Sequence, residues 1–72
     1  MNVIGPQVKR LREQKAMTQE DLTAQCNLLG WSISRGTLAK IESQVRRVID
    51  SEVAYLAQAL EVEISELFEE AP

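Results

Sequence analysis

The chain has 72 residues, 44% of them hydrophobic, a net charge of −3 at pH 7 and a single cysteine, Cys26. This length suits one small domain over residues 1–72, and the hydrophobic fraction is enough for a core, which argues against a disordered chain. One cysteine excludes an intrachain disulfide framework and favours a reducing compartment. Because charges interrupt every apolar segment, we expect no signal peptide or membrane span and a soluble, cytoplasmic protein.

Charge is distributed unevenly along the chain. Residues 1–47 hold all eight basic side chains and four acidic ones, a net charge of +4, whereas residues 48–72 hold seven acidic side chains and no basic one, a net charge of −7. Such a division is typical of a domain with a basic binding end and an acidic far end. Two ordinary solvated faces would give the same distribution.

The first helix is expected from Pro6 to Lys15. Proline suits the start because its missing N–H would be unpaired there, and Ile4, Val8 and Leu11 form an apolar stripe. Three basic residues of this helix are expected in solvent: Lys9, Arg10 and Lys15. A basic amphipathic helix can also lie on a membrane surface, but this apolar face is narrow and has no aromatic anchor, so we discount a membrane role.

The second helix is expected over about residues 19–29. Thr18 can cap it, with the carboxylate of Asp21 at the third helical position. Three residues at helical spacing are expected on one buried face: Leu22, Cys26 and Leu29.

The residues after this helix are expected to end it and form a turn. Gly30 can adopt the left-handed conformation that stops a helix. Trp31 is expected to pack over the turn, with an exposed interface role as the alternative. Cys26 is expected in the core rather than as a nucleophile, because the sequence contains no histidine to activate it.

A short helix with two different faces is expected over about residues 35–43. Ser34 can cap its first turn, and Leu38 and Ile41 form its buried stripe, with Thr37 at the edge. The opposite face holds only small and basic residues: Arg35, Gly36, Ala39 and Lys40. A small, cationic face suits close approach to a polyanion, so this stretch predicts the recognition helix of a DNA-binding helix-turn-helix.

The C-terminal part is expected to add two more helices. A loop follows Ser43, and Asp50 or Ser51 is expected to cap the fourth helix. A last short helix reaches Phe68, before an acidic end at 69–72. The buried stripe of the fourth helix is expected at Val53, Leu56, Ala57 and Leu60. Five short helices with brief connections predict one compact all-α domain.

Four stretches in this order resemble the lambda-repressor-like family of helix-turn-helix regulators, also called Cro-type or XRE-type. The likeness extends over about residues 4–68. Its pieces are I-x-x-x-V-x-x-L-R-E at 4–13, M-T-Q-E-D-L at 17–22, I-S-R-x-T-L-x-K-I-E at 33–42 and L-A-x-A-L-x-V-x-I-x-x-L at 56–67. The resemblance implies a five-helix domain that binds double-stranded DNA.

The resemblance also implies contacts, position by position. The residues that would read base edges in the major groove are Arg35, Gly36, Ala39 and Lys40. Those that would bond backbone phosphates are Gln19, Thr37, Ser43, Arg46 and Arg47. Arg12 and Glu42 correspond to the family's structural ion pair between the first and third helices.

Four departures from the family pattern bear on docking. Five extra residues lie between Cys26 and Ser34, and about one added turn of the second helix is expected to absorb them. Gln44 and Glu61 stand where the family often has glycine, so a left-handed cap at Gln44 would be strained. Gly36 inside the third helix costs about 1 kcal/mol of helix stability relative to alanine.

The favoured function is sequence-specific DNA binding by a repressor-like regulator, as a homodimer on a palindromic operator. Dimers of this kind set two recognition helices about 34–36 Å apart. The candidate dimer surface is Tyr55, Val62 and Phe68, with closure of the core as the alternative role of Phe68.

Two other function classes give different expectations. A protein-interaction module of the same fold, for example an antitoxin or adaptor, would use the acidic residues 48–72 to bind a basic partner protein. An enzyme is not expected, since the sequence has no histidine, no metal-ligand cluster, no glycine-rich phosphate loop and no serine or cysteine beside a base. We likewise expect no cofactor, no metal and no small-molecule ligand.

Overall fold

A computed structural model describes residues 2–69 as four α-helices and a C-terminal 3-10 helix, with no strand among them. The elements are α1 (Gly5–Gln14), α2 (Gln19–Leu28), α3 (Arg35–Glu42), α4 (Asp50–Leu60) and the 3-10 helix (Ile64–Phe68). The all-α prediction is confirmed, although the fifth helix is a 3-10 helix. Within these residues no helix has the length and hydrophobicity needed to span a bilayer. Apart from Glu69, the predicted acidic end lies outside the described residues.

One hydrophobic core joins all five elements. Helix α3 contacts both α1 and α2, and α4 contacts α1, α2 and the 3-10 helix. Burial of a large aliphatic side chain stabilises the fold by about 1.5–3 kcal/mol, so this core holds α3 firmly in place. The large aliphatic residues with no exposed surface are Val8, Leu22, Leu38, Ile41, Leu56, Leu60 and Leu67.

Side-chain caps define the starts of α2 and α3, as the sequence predicts. The Thr18 hydroxyl accepts from the Asp21 N–H at 3.0 Å, and the Asp21 carboxylate accepts from the Thr18 N–H at 2.8 Å. The Ser34 hydroxyl accepts from the Thr37 N–H at 3.1 Å. These bonds satisfy amides that have no partner inside the helix.

The predicted cap of α4 is wrong. Neither Asp50 nor Ser51 caps the helix, because Ile49 holds the cap position and has no side-chain acceptor. Instead, the Glu52 carboxylate accepts from the Ile49 N–H at 3.1 Å. The acid at the third helical position therefore satisfies the amide of the cap residue itself, which is one half of a capping box.

The connection between α2 and α3 departs most from expectation. Helix α2 continues only two residues past Cys26, so the connection takes most of the extra length. Leu29 is 39% exposed and does not share the buried face of Leu22 and Cys26, which corrects that prediction. Gly30 has a φ of +103° and ends the helix as predicted.

The residues of this connection are held by two kinds of contact. The Asn27 side chain donates to the carbonyl oxygens of Trp31 at 2.8 Å and Ile33 at 3.1 Å. The Trp31 ring packs against the core and stacks on Tyr55 with ring centroids 5.8 Å apart. Cys26 is fully buried, and burial raises the pKa of its thiol to about 11, so it is a core residue.

Candidate nucleic-acid interface

The small, cationic side of α3 lies at the protein surface. Arg35, Gly36 and Lys40 are exposed and Ala39 is half-buried, whereas Leu38 and Ile41 on the other side are fully buried. We call these four residues (Arg35, Gly36, Ala39 and Lys40) the α3 outer face. The structure thus brings all four predicted base-reading positions together on one accessible surface.

Gly36 is not required by the fold. A methyl group at this position would meet only the Ser34 hydroxyl, at 3.9 Å, which is an ordinary contact. Glycine within a helix is less stable than alanine by about 0.5–1 kcal/mol. Because Gly36 has no side chain, the helix backbone is uncovered at this position, and another molecule can approach it closely.

A buried ion pair joins α1 to the C-terminal end of α3. Arg12 Nε donates to Glu42 Oε2 at 2.7 Å, and the Arg12 NH2 group donates to Glu42 Oε1 at 3.1 Å. The Arg12 NH1 group donates to the Met17 carbonyl oxygen at 2.8 Å. The hydrogen bond to Glu42 raises the pKa of Arg12. Breaking a buried pair of this kind costs about 3–5 kcal/mol because it strands a charge.

The ion pair extends to the surface through Gln19. The Gln19 amide donates to Glu42 Oε1 at 3.0 Å, and its Oε1 accepts from the Arg35 guanidinium at 3.1 Å. A continuous set of side-chain bonds therefore runs from Arg12 in α1 to Arg35 on the α3 outer face. No sequence pattern indicated the bond between Gln19 and Arg35, because it depends on how α2 and α3 dock.

Helices α2 and α3 form a helix-turn-helix whose second helix presents this outer face. A helix-turn-helix family model matches residues 8–67. The chain belongs to the lambda-repressor-like helix-turn-helix family. The family is regulatory and binds DNA, so this chain is a DNA-binding helix-turn-helix regulator. Comparisons with curated proteins and with solved structures gave no match.

Two predicted phosphate-contacting arginines of this helix-turn-helix domain have different surroundings. Both outer nitrogens of Arg46 bond the two carboxylate oxygens of Glu52 at 3.0 Å. This bond lowers the pKa of Glu52 and raises that of Arg46. Arg47 is exposed and makes no ion pair within residues 2–69. Arg47 is therefore available to a ligand, whereas Arg46 is engaged with Glu52.

The two predicted hydroxyl contacts lie at opposite ends of α3. Thr37 is half-buried, and its hydroxyl accepts from the Ser34 hydroxyl at 3.0 Å. Ser43 is exposed, and its hydroxyl donates to the Lys40 carbonyl at 3.2 Å. Both hydroxyls bond only neighbours in their own helix, which leaves each with further hydrogen-bonding capacity.

An N-terminal clamp, which the sequence did not reveal, holds the C-terminal end of α3. The Asn2 amide donates to the carbonyl oxygens of Ile41 at 3.0 Å and Arg46 at 2.7 Å, and its side-chain oxygen accepts from the Gly5 N–H at 2.7 Å. Gln44, which has a φ of +69°, returns a bond from its side chain to the Asn2 carbonyl at 2.8 Å. These bonds tie the end of α3 to the start of α1.

Close packing at Gly5 completes the clamp. A methyl group at Gly5 would overlap the Ile41 carbonyl oxygen and lie 2.9 Å from that of Glu42. Glycine is thus needed here for the close approach of α1 to α3, in contrast to Gly36. The run of Ile4, Gly5 and Pro6 was the one sequence signal at this place, and it indicated only a helix start.

The three candidate dimer residues differ in exposure. Tyr55 is half-buried in its stack on Trp31, and Val62 is half-buried against the core. Phe68 is 53% exposed and so does not close the core, which removes the alternative role considered for it. Within residues 2–69 no group of three or more histidine, cysteine or acidic residues has the geometry to hold a metal ion.

Proposed function

We propose that this protein is a sequence-specific, repressor-like regulator that binds a palindromic operator as a homodimer. In this proposal the α3 outer face enters the major groove of double-stranded DNA. The observation that carries the proposal is the exposed, small and cationic outer face of a helix that is held from behind by the Arg12–Glu42 pair.

Base readout falls to the α3 outer face. Arg35 carries parallel N–H donors that match the O6 and N7 acceptors of guanine. Ala39 is suited to contact a thymine methyl group, and Lys40 to bind a guanine or a phosphate. Gly36 contributes by its small size, because it lets the helix backbone approach the floor of the groove.

Phosphate contacts surround this readout surface. Gln19 and Thr37 near the helix starts, and Ser43 and Arg47 after α3, are proposed to bond the DNA backbone. Arg46 is proposed to bond a phosphate after it gives up its bonds to the Glu52 carboxylate. Since that exchange breaks two existing bonds, we expect Arg46 to contribute less binding free energy than Arg47.

Homodimerisation is proposed because one unit of this size buries little surface on DNA. A dimer doubles the contacts and sets the two recognition helices about 34–36 Å apart, which matches one turn of the duplex. Occupancy of such a site is enough to exclude other DNA-binding proteins, which is why we propose repression. We also propose a cytoplasmic location, in agreement with the prediction from the sequence.

The test is selection of bound sequences from random duplexes, followed by mobility-shift titration over a range of salt concentrations. We expect a palindromic site and an affinity that falls steeply with salt, with a log–log slope of about −0.9 for each phosphate neutralised. Arg35→Ala and Lys40→Ala should weaken binding at least tenfold. Lys9→Ala, which removes the same charge from an exposed position on α1, is the matched control.

Loss of affinity in the Lys9 control equal to that of Arg35→Ala would contradict the proposal, because it would indicate attraction by net charge alone. Binding that neither selects a sequence nor depends on salt would contradict it as well.

A second candidate function is a protein-interaction module, such as an antitoxin or adaptor of this fold. It is favoured by two exposed apolar residues, Ile64 and Phe68, that are flanked by the exposed acids Glu63 and Glu69. This surface would suit a basic partner protein. Recovery of a stoichiometric protein partner, together with failure to protect any DNA, would favour this candidate over the first.

A further inference from the structure

An open cleft of about 330 Å³ lies where the N-terminal segment, the loop before α4 and the 3-10 helix meet. We call it the Phe68 cleft. It is lined in part by Val3, Arg47, Val48, Asp50, Val53 and Phe68. The cleft is separate from the α3 outer face, since the two surfaces share no residue.

The Phe68 cleft is bordered by unusually exposed apolar side chains. Val3 is 76% exposed and Phe68 is 53% exposed. Val48 and Val53, which also line the cleft, are only half-buried. Apolar side chains that gather at one exposed place mark an interaction surface, because their burial against a partner is favourable.

The charges at the cleft indicate which partner fits. Arg47 and Asp50 both line it and both are exposed, and neither makes an ion pair within residues 2–69. A surface that offers one cation and one anion is complementary to itself under two-fold symmetry, because residue i then faces residue j twice. A uniformly basic partner would place a positive charge against Arg47, and a uniformly acidic partner would place a negative charge against Asp50.

The shape of the surface is also complementary to itself. Phe68 is 53% exposed and lines the cleft together with Val3, Val48 and Val53, so the surface carries both an exposed ring and an apolar depression. In a two-fold arrangement the Phe68 ring of each copy enters the depression of the other. Aromatic side chains buried at the centre of an interface commonly dominate its binding energy.

We propose that the occupant of the Phe68 cleft is a second copy of this chain, held by reciprocal Phe68 insertion and by two symmetric Arg47–Asp50 ion pairs. This proposal rests on the homodimer of the proposed function and names its surface. It retains Phe68 as a dimer residue but leaves Tyr55 and Val62 outside the interface. The guanidinium of Arg47 has five N–H donors, so it has capacity for a phosphate as well as for this carboxylate.

The test measures self-association of the full chain in the absence of DNA, by sedimentation equilibrium between about 1 μM and 1 mM, a range that covers weak to moderate affinities. Phe68→Ser and Val3→Ser, at two exposed apolar residues that line the cleft, should each weaken the dimer at least tenfold. Leu28→Ser, at an apolar residue that is 80% exposed but does not line the cleft, should leave it unchanged. Circular dichroism checks that each variant is folded, which is expected because all three side chains are exposed.

Charge reversal separates this interface from a simple loss of apolar contact. Arg47→Asp and Asp50→Arg should each weaken the dimer because they place like charges together. The double variant should restore at least half of the lost free energy of association, since the pairs are then re-formed in the opposite sense. If Arg47 served only DNA, Arg47→Asp would leave self-association unchanged, and the double variant would have no loss from Arg47→Asp to restore.

A chain that stays monomeric at every concentration would overturn the inference. So would a dimer that Phe68→Ser and Val3→Ser leave intact, or one that Leu28→Ser weakens equally. Binding to a single half-site is measured in parallel. Arg35-dependent binding by a monomer would support the proposed DNA contacts and contradict this inference. A dimer that binds no DNA would support this inference and contradict the proposed DNA contacts.

Discussion

The substitution Gly36→Ala is expected to stabilise the fold and to weaken DNA binding. The new methyl group meets only the Ser34 hydroxyl at 3.9 Å, so the helix accepts it without a clash. Alanine in place of a helical glycine raises the free energy of unfolding by about 0.5–1 kcal/mol. For a domain of this size that gain corresponds to a rise in Tm of about 2–8 °C. The same methyl group lies on the surface proposed to meet the groove floor, where it should reduce affinity for the selected operator at least tenfold.

The other two glycines provide the contrast. Gly30 has a φ of +103°, so Gly30→Ala should lower the free energy of unfolding by about 1–2 kcal/mol through backbone strain. Gly5→Ala should lower it by about 1–3 kcal/mol, because the methyl group would overlap the Ile41 carbonyl oxygen and push α1 away from α3. Only the variant at Gly36 is expected to separate stability from DNA affinity.

Two measurements decide this prediction: thermal unfolding followed by circular dichroism, and mobility-shift titration at fixed salt. A lower Tm for Gly36→Ala would refute the view that space is open around this position. A higher Tm with unchanged operator affinity would refute the close approach of the α3 outer face to DNA. The combination of a higher Tm and weaker binding is the result that supports both.

Three further outcomes follow from the contacts of single side chains. The bond to Arg46 lowers the pKa of Glu52, so this pair contributes stability above the unfolded-state pKa and loses it as the pH falls through the lower folded-state value. Urea unfolding should therefore show Glu52→Gln to be less stable by about 1 kcal/mol at pH 7, with the difference shrinking as acid protonates the carboxylate; a constant difference would count against the pair. Glu61→Gly should raise the free energy of unfolding by about 1 kcal/mol, because Glu61 ends α4 with a φ of +57°, a left-handed conformation that favours glycine. An unchanged urea midpoint would contradict this. Gln19→Ala should reduce the preference for the base read by Arg35 at least fivefold in mobility shifts on matched duplexes, and retained preference would show that Gln19 does not orient Arg35.

Hydrogen bonds from three parts of the chain restrain α3. They come from Arg12 of α1, from Gln19 of α2 and from Asn2 of the N-terminal segment. Each restraint uses a charged or amide group that the core alone would not position. Such restraint reduces the conformational freedom that DNA binding would otherwise have to remove.

Much of the fold follows from short-range patterns in the sequence. The caps at Thr18 and Ser34 and the stop at Gly30 depend on residues within three or four positions, so the local sequence contains all the information they need. The apolar stripes of α3 and α4 have the same local origin, since helical periodicity decides which side chains share a face. The arrangement of the four motif stretches also identified the family from the sequence.

The tertiary structure alone decided how α3 is supported and which basic residues are available to a ligand. The Asn2 clamp joins residues 39 and 44 positions apart, and the bond between Gln19 and Arg35 crosses from α2 to α3. The sequence assigned Arg46 and Arg47 the same role, yet the turn into α4 brings Glu52 against Arg46 and leaves Arg47 exposed. Local propensity decides where each helix begins and which face is apolar. The distances between polar groups on different helices are set by core packing, which no segment of the chain encodes by itself.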